Sequence, residues 1–576
     1  MSAAKSRLPL PVNDAMERMN LPPLASTPVA SGPDGSVREY VLQDYRPISQ
    51  SLEWKIAEAH WNQLGLLPFV ESDVPFLVNN SGRLSQDAAM LLFEHCLESD
   101  PVSPTFSVLE VGAGTGLFAR YFLDFFYALC AQNQKSYYDR LTYVVTDKSP
   151  ATVTQWEERG LFHGHKEHIV ASVFDPIGVD AALPATTHLR AFFCNYVFDV
   201  MPTSIVRAGK EGAEQLCVRT YLATDLAYVA QYTKRTPQEI ATIAASENPA
   251  DLLELVPLLP LLEFDTAFRP IPDGSVPCWK EALEFGTGLD KVLVNHGALE
   301  TLERFLGNMP PEGFVLINDY GPTQREQVQN FCSLQRFGPT VACAINFPLL
   351  EWLCEKRKII TTKAVGDERR GIQARLLSRA ELPKTRAEFC KAFSQEAHAY
   401  YEGPLELART HANAGRLHEA LDAYREAVTR SPRNWYIIGE AAEFLCLQLK
   451  NFDAGLELLR TALGLNPVYS PWLWNVLGDC LYCLERYEDA HEAYLQAARI
   501  DPQDVRTNLN LAYTLALFGR LPEALEVIAR GLSRDTREAY RARLLEKQRH
   551  VLTLMSNRWL REQEQLLRRL NRFHAA

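Results

Sequence analysis

The chain lacks any long uninterrupted apolar run. A bilayer-spanning helix needs about 20 consecutive, mostly apolar residues. The most apolar segment, Leu252–Phe264, is broken by Pro257 and Pro260 and carries Glu254 and Glu263. An excess of positive charge is also missing. With 59 Lys and Arg against 71 Asp and Glu the formal net charge is −12, so the chain as a whole has no electrostatic pull toward nucleic acid or an anionic membrane. The 12 cysteines show no framework spacing, and the single CxxC pair, Cys480 and Cys483, has no second pair at metal-site distance. They read as reduced, mostly buried thiols of a cytosolic protein. His163, His165 and His168 cluster without an acidic or cysteine companion at ligand spacing, so they read as exposed loop residues and no metal is assigned. No apolar stretch follows a basic start at the N-terminus, which argues against a secretory signal. These absences predict a soluble, cytoplasmic protein, with no nucleic acid and no membrane among its partners.

What is present is the make-up of a globular chain: 47% hydrophobic and 23% charged residues over 576 positions, enough for two to four domains. Residues 1–44 read as a loosely ordered leader. Trp54, Ala57, Trp61 and Leu64 then recur at helical spacing over Ser51–Leu64. From Phe106 to about Ser378, β-rich runs alternate with helical patterns, the mark of an α/β domain with a largely parallel sheet. The expected strands are Phe106–Val111, Thr142–Thr146, His168–Val173, Ala191–Asn195 and Gly313–Asn318. The long stretch at about 220–293 is expected to be a helical insert, because a structureless connection of that length is rare in a compact domain. The α/β domain is bounded at 45–386.

Beyond 387 the strand signal stops and a period begins. Pro432, Pro467 and Pro502 lie 35 residues apart. Ala420, Gly455 and Ala490 precede them by twelve residues, and Ala524 continues the series. Tyr424, Leu459, Tyr494 and Ile528 follow four later, and Ala427, Ala462, Ala497 and Gly531 three after those. The pattern resembles the tetratricopeptide repeat (TPR), in which small residues sit where two helices cross and a proline closes each pair. About four repeats fit into 387–535, forming an all-α solenoid. Residues 536–576, helical and rich in Arg and Leu, read as a capping helix with its arginines on the wet face.

The chemistry-bearing segment is Phe106–Leu123. An apolar strand ends in Glu110, then Gly112, Gly114 and Gly116 lead into an apolar-periodic helix. Glycines there allow a tight turn and a close ligand approach, and the helix N-terminus favours an anion such as a carboxylate. The spacing is GxGxG rather than the GxGxxG of dinucleotide binders. A Glu two residues before the first Gly would repel a pyrophosphate and suits a cationic ligand. The motif resembles that of class I methyltransferases, whose cofactor S-adenosyl-L-methionine carries a sulfonium and an amino group. That resemblance implies a Rossmann-like fold, ribose contacts from Asp147 after the second strand, and an adenine contact from Asp175 after the third. Helix capping or a turn before Pro176 is the plainer role for Asp175.

The fourth strand delivers Asn195, Tyr196 and Asp199 before Pro202, and a later strand ends in Asn318-Asp-Tyr-Gly321. Ligands bind at strand ends in open α/β sheets, which places Asn195 and Asp199 in the cleft. The three segments in this order resemble the MidA-type methyltransferases, relatives of a complex I assembly factor that methylates a protein arginine. The resemblance covers roughly Leu77 to Leu376. Where that family has Glu after Asn, this chain has Tyr196, which cannot hold a guanidinium by paired hydrogen bonds. The family's upstream acceptor-recognition segment is not recognisable in Asp73–Arg83. Asp199 and Asp319 are the candidates to replace the missing charge, and Tyr196 to pack on an acceptor. Three readings stay open. One is a methyltransferase acting on a protein recruited by the TPR array; another is a catalytically silent scaffold whose repeats mediate protein–protein interaction. The third is a small-molecule methyltransferase with the 220–293 insert as a lid. The intact loop with Glu110 and Asp147 favours an enzyme, whereas Tyr196 favours the scaffold or a changed acceptor.

Overall fold

The computed structural model describes residues 40–70, 81–100, 103–177, 188–223, 225–272, 274–369, 371–535 and 538–574. The chain divides into two compact units, one up to Tyr400 and one from Tyr401.

In the first unit the strands are β1 (Val41–Pro47), β2 (Phe106–Val111), β3 (Leu141–Asp147), β4 (Ile169–Val173), β5 (Leu189–Asn195), β6 (Ser204–Ala208), β7 (Ala213–Leu222), β8 (Leu262–Pro270), β9 (Val292–Val294), β10 (Phe314–Asp319), β11 (Gln335–Phe337), β12 (Thr340–Ala342), β13 (Ile360–Lys363) and β14 (Gln373–Ser378). Seven of them form the main sheet in the order β13-β14-β10-β5-β2-β3-β4. The run from β10 to β4 is parallel, and β14 pairs antiparallel with both β10 and β13. Strands β2 and β10 are buried along their whole length, which explains why apolar residues do not alternate with exposed polar ones in either. From β2 the chain steps to β3 and β4 on one side, then crosses to β5 and β10 on the other. The strand order therefore reverses at β2, and the crevice at a reversal is where open α/β sheets bind ligands. Register sets Glu110 beside Val145 and Phe193, and Asn195 beside Asn318, at the same edge of the sheet.

One face is filled by stacked aromatics. On the helix Leu117–Gln132, Phe118 and Phe122 meet Phe193, Phe122 also meets Tyr143, and Phe126 stacks on Phe122. On the other face Phe192 stacks on Phe305 of the helix His296–Gly307, with centroids 3.9 Å apart.

Two expectations need correction. The expected leader reaches residue 44; residues 1–39 lie outside the described residues, but Val41–Pro47 is strand β1, paired antiparallel with β7. The 220–293 insert is only partly helical. Short helices at Leu226–Tyr232, Pro237–Ala244, Pro249–Leu253 and Trp279–Phe285 alternate with β8 and β9. These belong to a second, antiparallel sheet, β1-β7-β6-β9 with β8 also on β7. Both misreadings concern strands that pair with residues far away in sequence, where short-range pattern is weakest.

The second unit begins inside the helix Gln395–Asn413 and consists of helix pairs: that helix with Leu417–Arg430, Trp435–Glu443 with Phe452–Leu465, Pro471–Cys483 with Tyr487–Ile500, and Val505–Leu517 with Leu521–Arg534. A π turn, Phe444–Gln448, extends the first helix of the second pair. Ala420, Ala490 and Ala524 are fully buried at crossings. Gly455 is buried as well, and a Cβ there would lie 2.1 Å from the Cys446 sulfur. Cys480 is buried and Cys483 exposed. The unit ends in the 34-residue helix Arg541–His574, whose Leu544 and Val551 join the apolar core of the last two pairs.

Candidate cofactor and acceptor site

Strand β2 enters the loop with Glu110 fully enclosed. The Tyr143 hydroxyl donates to Glu110 Oε2 at 2.9 Å, and the Thr146 hydroxyl donates to the Glu110 carbonyl at 2.7 Å. Burial pushes the Glu110 carboxyl up to about 8 despite the Tyr143 bond. A carboxyl kept neutral by burial gains most from a cation that enters beside it.

The turn runs through left-handed glycines. Gly112 has φ +63°, and a Cβ there would meet Val197 Cγ2 at 2.6 Å; Gly114 has φ +52°, and a Cβ would meet Phe69 Cζ at 2.6 Å. The Trp156 indole N–H donates to the Gly114 carbonyl at 2.8 Å, while the Gly114 N–H donates to Asp147 Oδ2 at 3.0 Å. Gly116 caps the following helix instead of lining the cavity. Asp147 also accepts from the Ser149 N–H at 2.9 Å, and burial raises its carboxyl to about 6. Asp175 serves two local purposes. Its Oδ1 accepts from the Ile177 N–H at 3.0 Å, closing the turn around Pro176, and its Oδ2 pairs with Lys148 at 3.1 Å. Lys148 also pairs with Glu58.

Strand β5 ends in Asn195, whose Oδ1 accepts from the Asn318 amide at 2.8 Å. Tyr196 follows with φ +52°, and its N–H donates to the Asn318 carbonyl at 2.8 Å. A tyrosine in that conformation is strained, and here the strain turns the chain sharply across the strand ends. The Asp199 N–H donates to Asp319 Oδ2 at 3.3 Å, and the Tyr320 N–H to Asp319 Oδ1 at 2.9 Å. Burial lifts Asp199 to about 7; burial and the neighbouring Asp199 hold Asp319 well above the usual carboxylate range. Three buried polar atoms in this cluster have no hydrogen-bond partner: Asn195 Nδ2, Asp199 Oδ1 and the Tyr320 hydroxyl.

The glycine loop and the strand ends open on one cavity of about 1110 Å³. Of the residues singled out from sequence, Glu110, Gly112, Gly114, Asp147, Asp175, Asn195, Tyr196 and Asp199 line it. Its walls add Trp54, Trp61 and Phe69, which no motif signals, and Tyr320, which the Asn318–Gly321 segment does. Its acidic side chains are Glu58, Glu110, Asp147, Asp175, Asp199 and Glu368, and Lys148 is its one basic side chain among the described residues. The histidine expectation fails in part: His165 is buried, 2.6 Å from the Tyr138 hydroxyl and 3.0 Å from Asp124. Packing of the third strand's approach against the helix Leu117–Gln132 encloses it. Among the described residues, no group of three or more His, Cys, Asp or Glu could hold a metal ion.

The fold is that of a class I methyltransferase domain, joined to TPR repeats. Residues 92–346 match the family described as "Putative S-adenosyl-L-methionine-dependent methyltransferase", and S-adenosylmethionine is the cofactor of this domain. Residues 405–470 and 471–504 match two tetratricopeptide repeat families. Among curated proteins, the chain is 34% identical over 84 residues to a peroxisomal targeting signal receptor of Candida albicans, 15% of this chain and 14% of that protein. It is 39% identical over 56 residues to a TPR repeat-containing protein of Methanocaldococcus jannaschii, 10% of each. The chain thus spans only about a seventh of the first of these relatives. Among solved structures, a Burkholderia thailandensis protein bound to S-adenosyl-homocysteine is 15% identical, with a TM-score of 0.39, over 65% of this chain and 95% of its own. No helix among the described residues is long and apolar enough to cross a membrane.

Proposed function

We propose that the chain is an active methyltransferase whose acceptor is a protein recruited through the repeats. The observation that carries the reading is the set of unpartnered atoms at the strand ends. Leaving a buried polar group unsatisfied costs about 1–3 kcal/mol, and Asn195 Nδ2, Asp199 Oδ1 and the Tyr320 hydroxyl all border the cavity that the glycine loop opens into. A bound ligand offsets that cost.

The residues present fit the cofactor. Glu110 offers a buried carboxyl to a cationic group, Asp147 lies at the loop, and the glycine cradle at Gly112 and Gly114 is space that any Cβ would fill. When bound, S-adenosylmethionine supplies an electrophilic methyl group. The chain's own work is alignment and exclusion of water, which account for most of the acceleration in such transfers. Asn195 Nδ2 can donate to the acceptor, and Asp199 Oδ1 can take the proton that the acceptor loses on methylation. Burial raises the Asp199 carboxyl above its usual range, which makes it a better proton acceptor than an ordinary carboxylate. Asp199 offers the cavity a carboxyl that Tyr196 cannot, and Asp319 behind it accepts from the Asp199 N–H. The acidic walls favour a cationic or neutral acceptor and disfavour a phosphate-bearing one. Helical repeats joined to a catalytic domain raise the local concentration of a captured substrate.

Isothermal titration with S-adenosylmethionine and S-adenosylhomocysteine tests the first half. Wild type is expected to bind at micromolar concentration and Gly114→Arg not at all; absence of binding to wild type sinks the enzyme and leaves a scaffold. Methyl-labelled cofactor with a cell extract tests the second half. Label should enter protein, and Asp199→Asn should lose transfer while keeping cofactor affinity. Label confined to small molecules would replace the protein acceptor with a metabolite.

A further inference from the structure

The helix Arg541–His574 has two different apolar faces. Leu544 and Val551 are fully buried in the core of the preceding helix pairs. A second stripe, on another side, is open: Leu545, Leu552, Trp559 and Leu566 recur every seven residues and are 40–59% exposed, with Leu560 and Leu567 beside them at 50% and 58%. Beyond Met555 none of the described side chains is buried. The helix is about 51 Å long at 1.5 Å per residue, so a large part of it presents this face to solvent.

Charge lies opposite the stripe. At about 100° per residue, Leu552, Trp559, Leu560, Leu566 and Leu567 span a sector of about 120°, and no charged residue of 552–569 falls inside it. Arg558, Arg561, Arg568 and Arg569 lie outside, with Glu562 and Glu564, and Glu562 is engaged by Arg558 at 3.1 Å. Over the whole helix nine basic residues face three acidic ones, in a chain whose net charge is −12. Eight of the nine are Arg, whose planar fork matches phosphate oxygens.

We propose that this helix docks flat on an anionic phospholipid surface, with Trp559 and the leucines in the acyl–headgroup boundary and the arginines on phosphates. A broad apolar sector with tryptophan and a basic polar face is the pattern of interfacial helices. Ser556 and Gln563 favour lipid over a protein groove. Both fall within the apolar sector, where a dry groove would leave them unsatisfied and a headgroup layer keeps them hydrated. The helix lies on the bilayer and does not cross it.

The test is sedimentation of the full chain with vesicles of phosphatidylcholine alone and with one quarter phosphatidylglycerol. At least tenfold more protein is expected on the anionic vesicles, with loss of binding in 0.5 M NaCl and in Leu560→Glu/Leu567→Glu. Both positions are solvent-exposed, and unchanged circular dichroism and cofactor affinity certify that the variant is folded. Equal binding to both vesicles, no binding to either, or undiminished binding by the variant overturns the proposal. So does a wild-type dimer in sedimentation velocity that the same substitutions dissociate, which would make the stripe a protein interface.

Discussion

Glu110 sits at the end of a strand whose every residue is buried, and its carboxyl is neutral over most of the physiological range. A cationic ligand that needs the ionised form therefore binds more tightly as pH rises toward about 8, by up to about tenfold per pH unit below that value. Titration calorimetry between pH 6 and 8 should show this slope for S-adenosylmethionine, and Glu110→Gln should abolish it along with most of the affinity. A flat profile in wild type would mean that Glu110 does not face the cation. This residue was legible from sequence because its chemistry is local: an acid and three glycines at fixed offsets. Its neighbour Tyr143 was not, since only strand pairing places that hydroxyl 2.9 Å from the carboxyl. Asp175 shows the opposite case. Its turn bond to Ile177 is a short-range event, whereas Lys148 reaches it from another strand end.

Among the repeats, the small residues that set the period mark places where two helices nearly touch. At Gly478 a Cβ would come within 2.2 Å of the Tyr494 ring, and that ring is pinned by its hydroxyl's 2.8 Å bond to Asp479. Gly478→Ala gains about 1 kcal/mol of helix propensity and incurs about 1–3 kcal/mol of overpacking. The steric term wins, so denaturant unfolding should report a less stable repeat unit. Gly464→Ala is the control: nothing lies within 4 Å of its added Cβ, and it should be neutral or stabilising. The crossings were readable from sequence because they recur at a fixed interval. The strands of the second sheet were not. β8 carries no strand signal of its own within 220–293, because its identity depends on pairing with β7, a distant segment of the chain.

Across the whole methyltransferase unit, buried ionisable groups pull stability in two directions. Burial depresses His60, His95 and His296 to about 4 from 6.5. Between those values the unfolded chain binds more protons, so stability rises with pH. Burial raises Glu53 to about 7, Asp199 to about 7 and Glu110 to about 8, from ordinary values near 4. Over that window the folded state binds more protons, so stability falls as pH rises, by up to about 1.4 kcal/mol per unit for each group. The two effects oppose each other up to pH 6.5; above it only the carboxyls titrate. Thermal unfolding of this unit should therefore be highest near or below pH 6.5 and decline by several degrees toward pH 8. Glu53→Gln should flatten that decline, because Glu53 Oε2 has no partner and the Oε1 bond from Thr220 can be kept by an amide. A profile that climbs from pH 6.5 to 8 would contradict these shifts.

Short-range pattern alone specifies a glycine loop between strand and helix, acids at strand ends, and a helical repeat with small residues at its crossings. Hydrophobic period, turn chemistry and spacing act within a few residues, so they survive without coordinates. Tertiary structure alone decided which of those residues meet. It turned the order of strands around β2, brought Asn195, Asp199 and Tyr320 to one cavity with three unpartnered atoms, and drew β1 into a sheet with β7. It also split the last helix into a face that packs and a face that does not. These depend on pairing across long sequence separations and on burial, which raises carboxyls and depresses histidines only once the chain has closed around them.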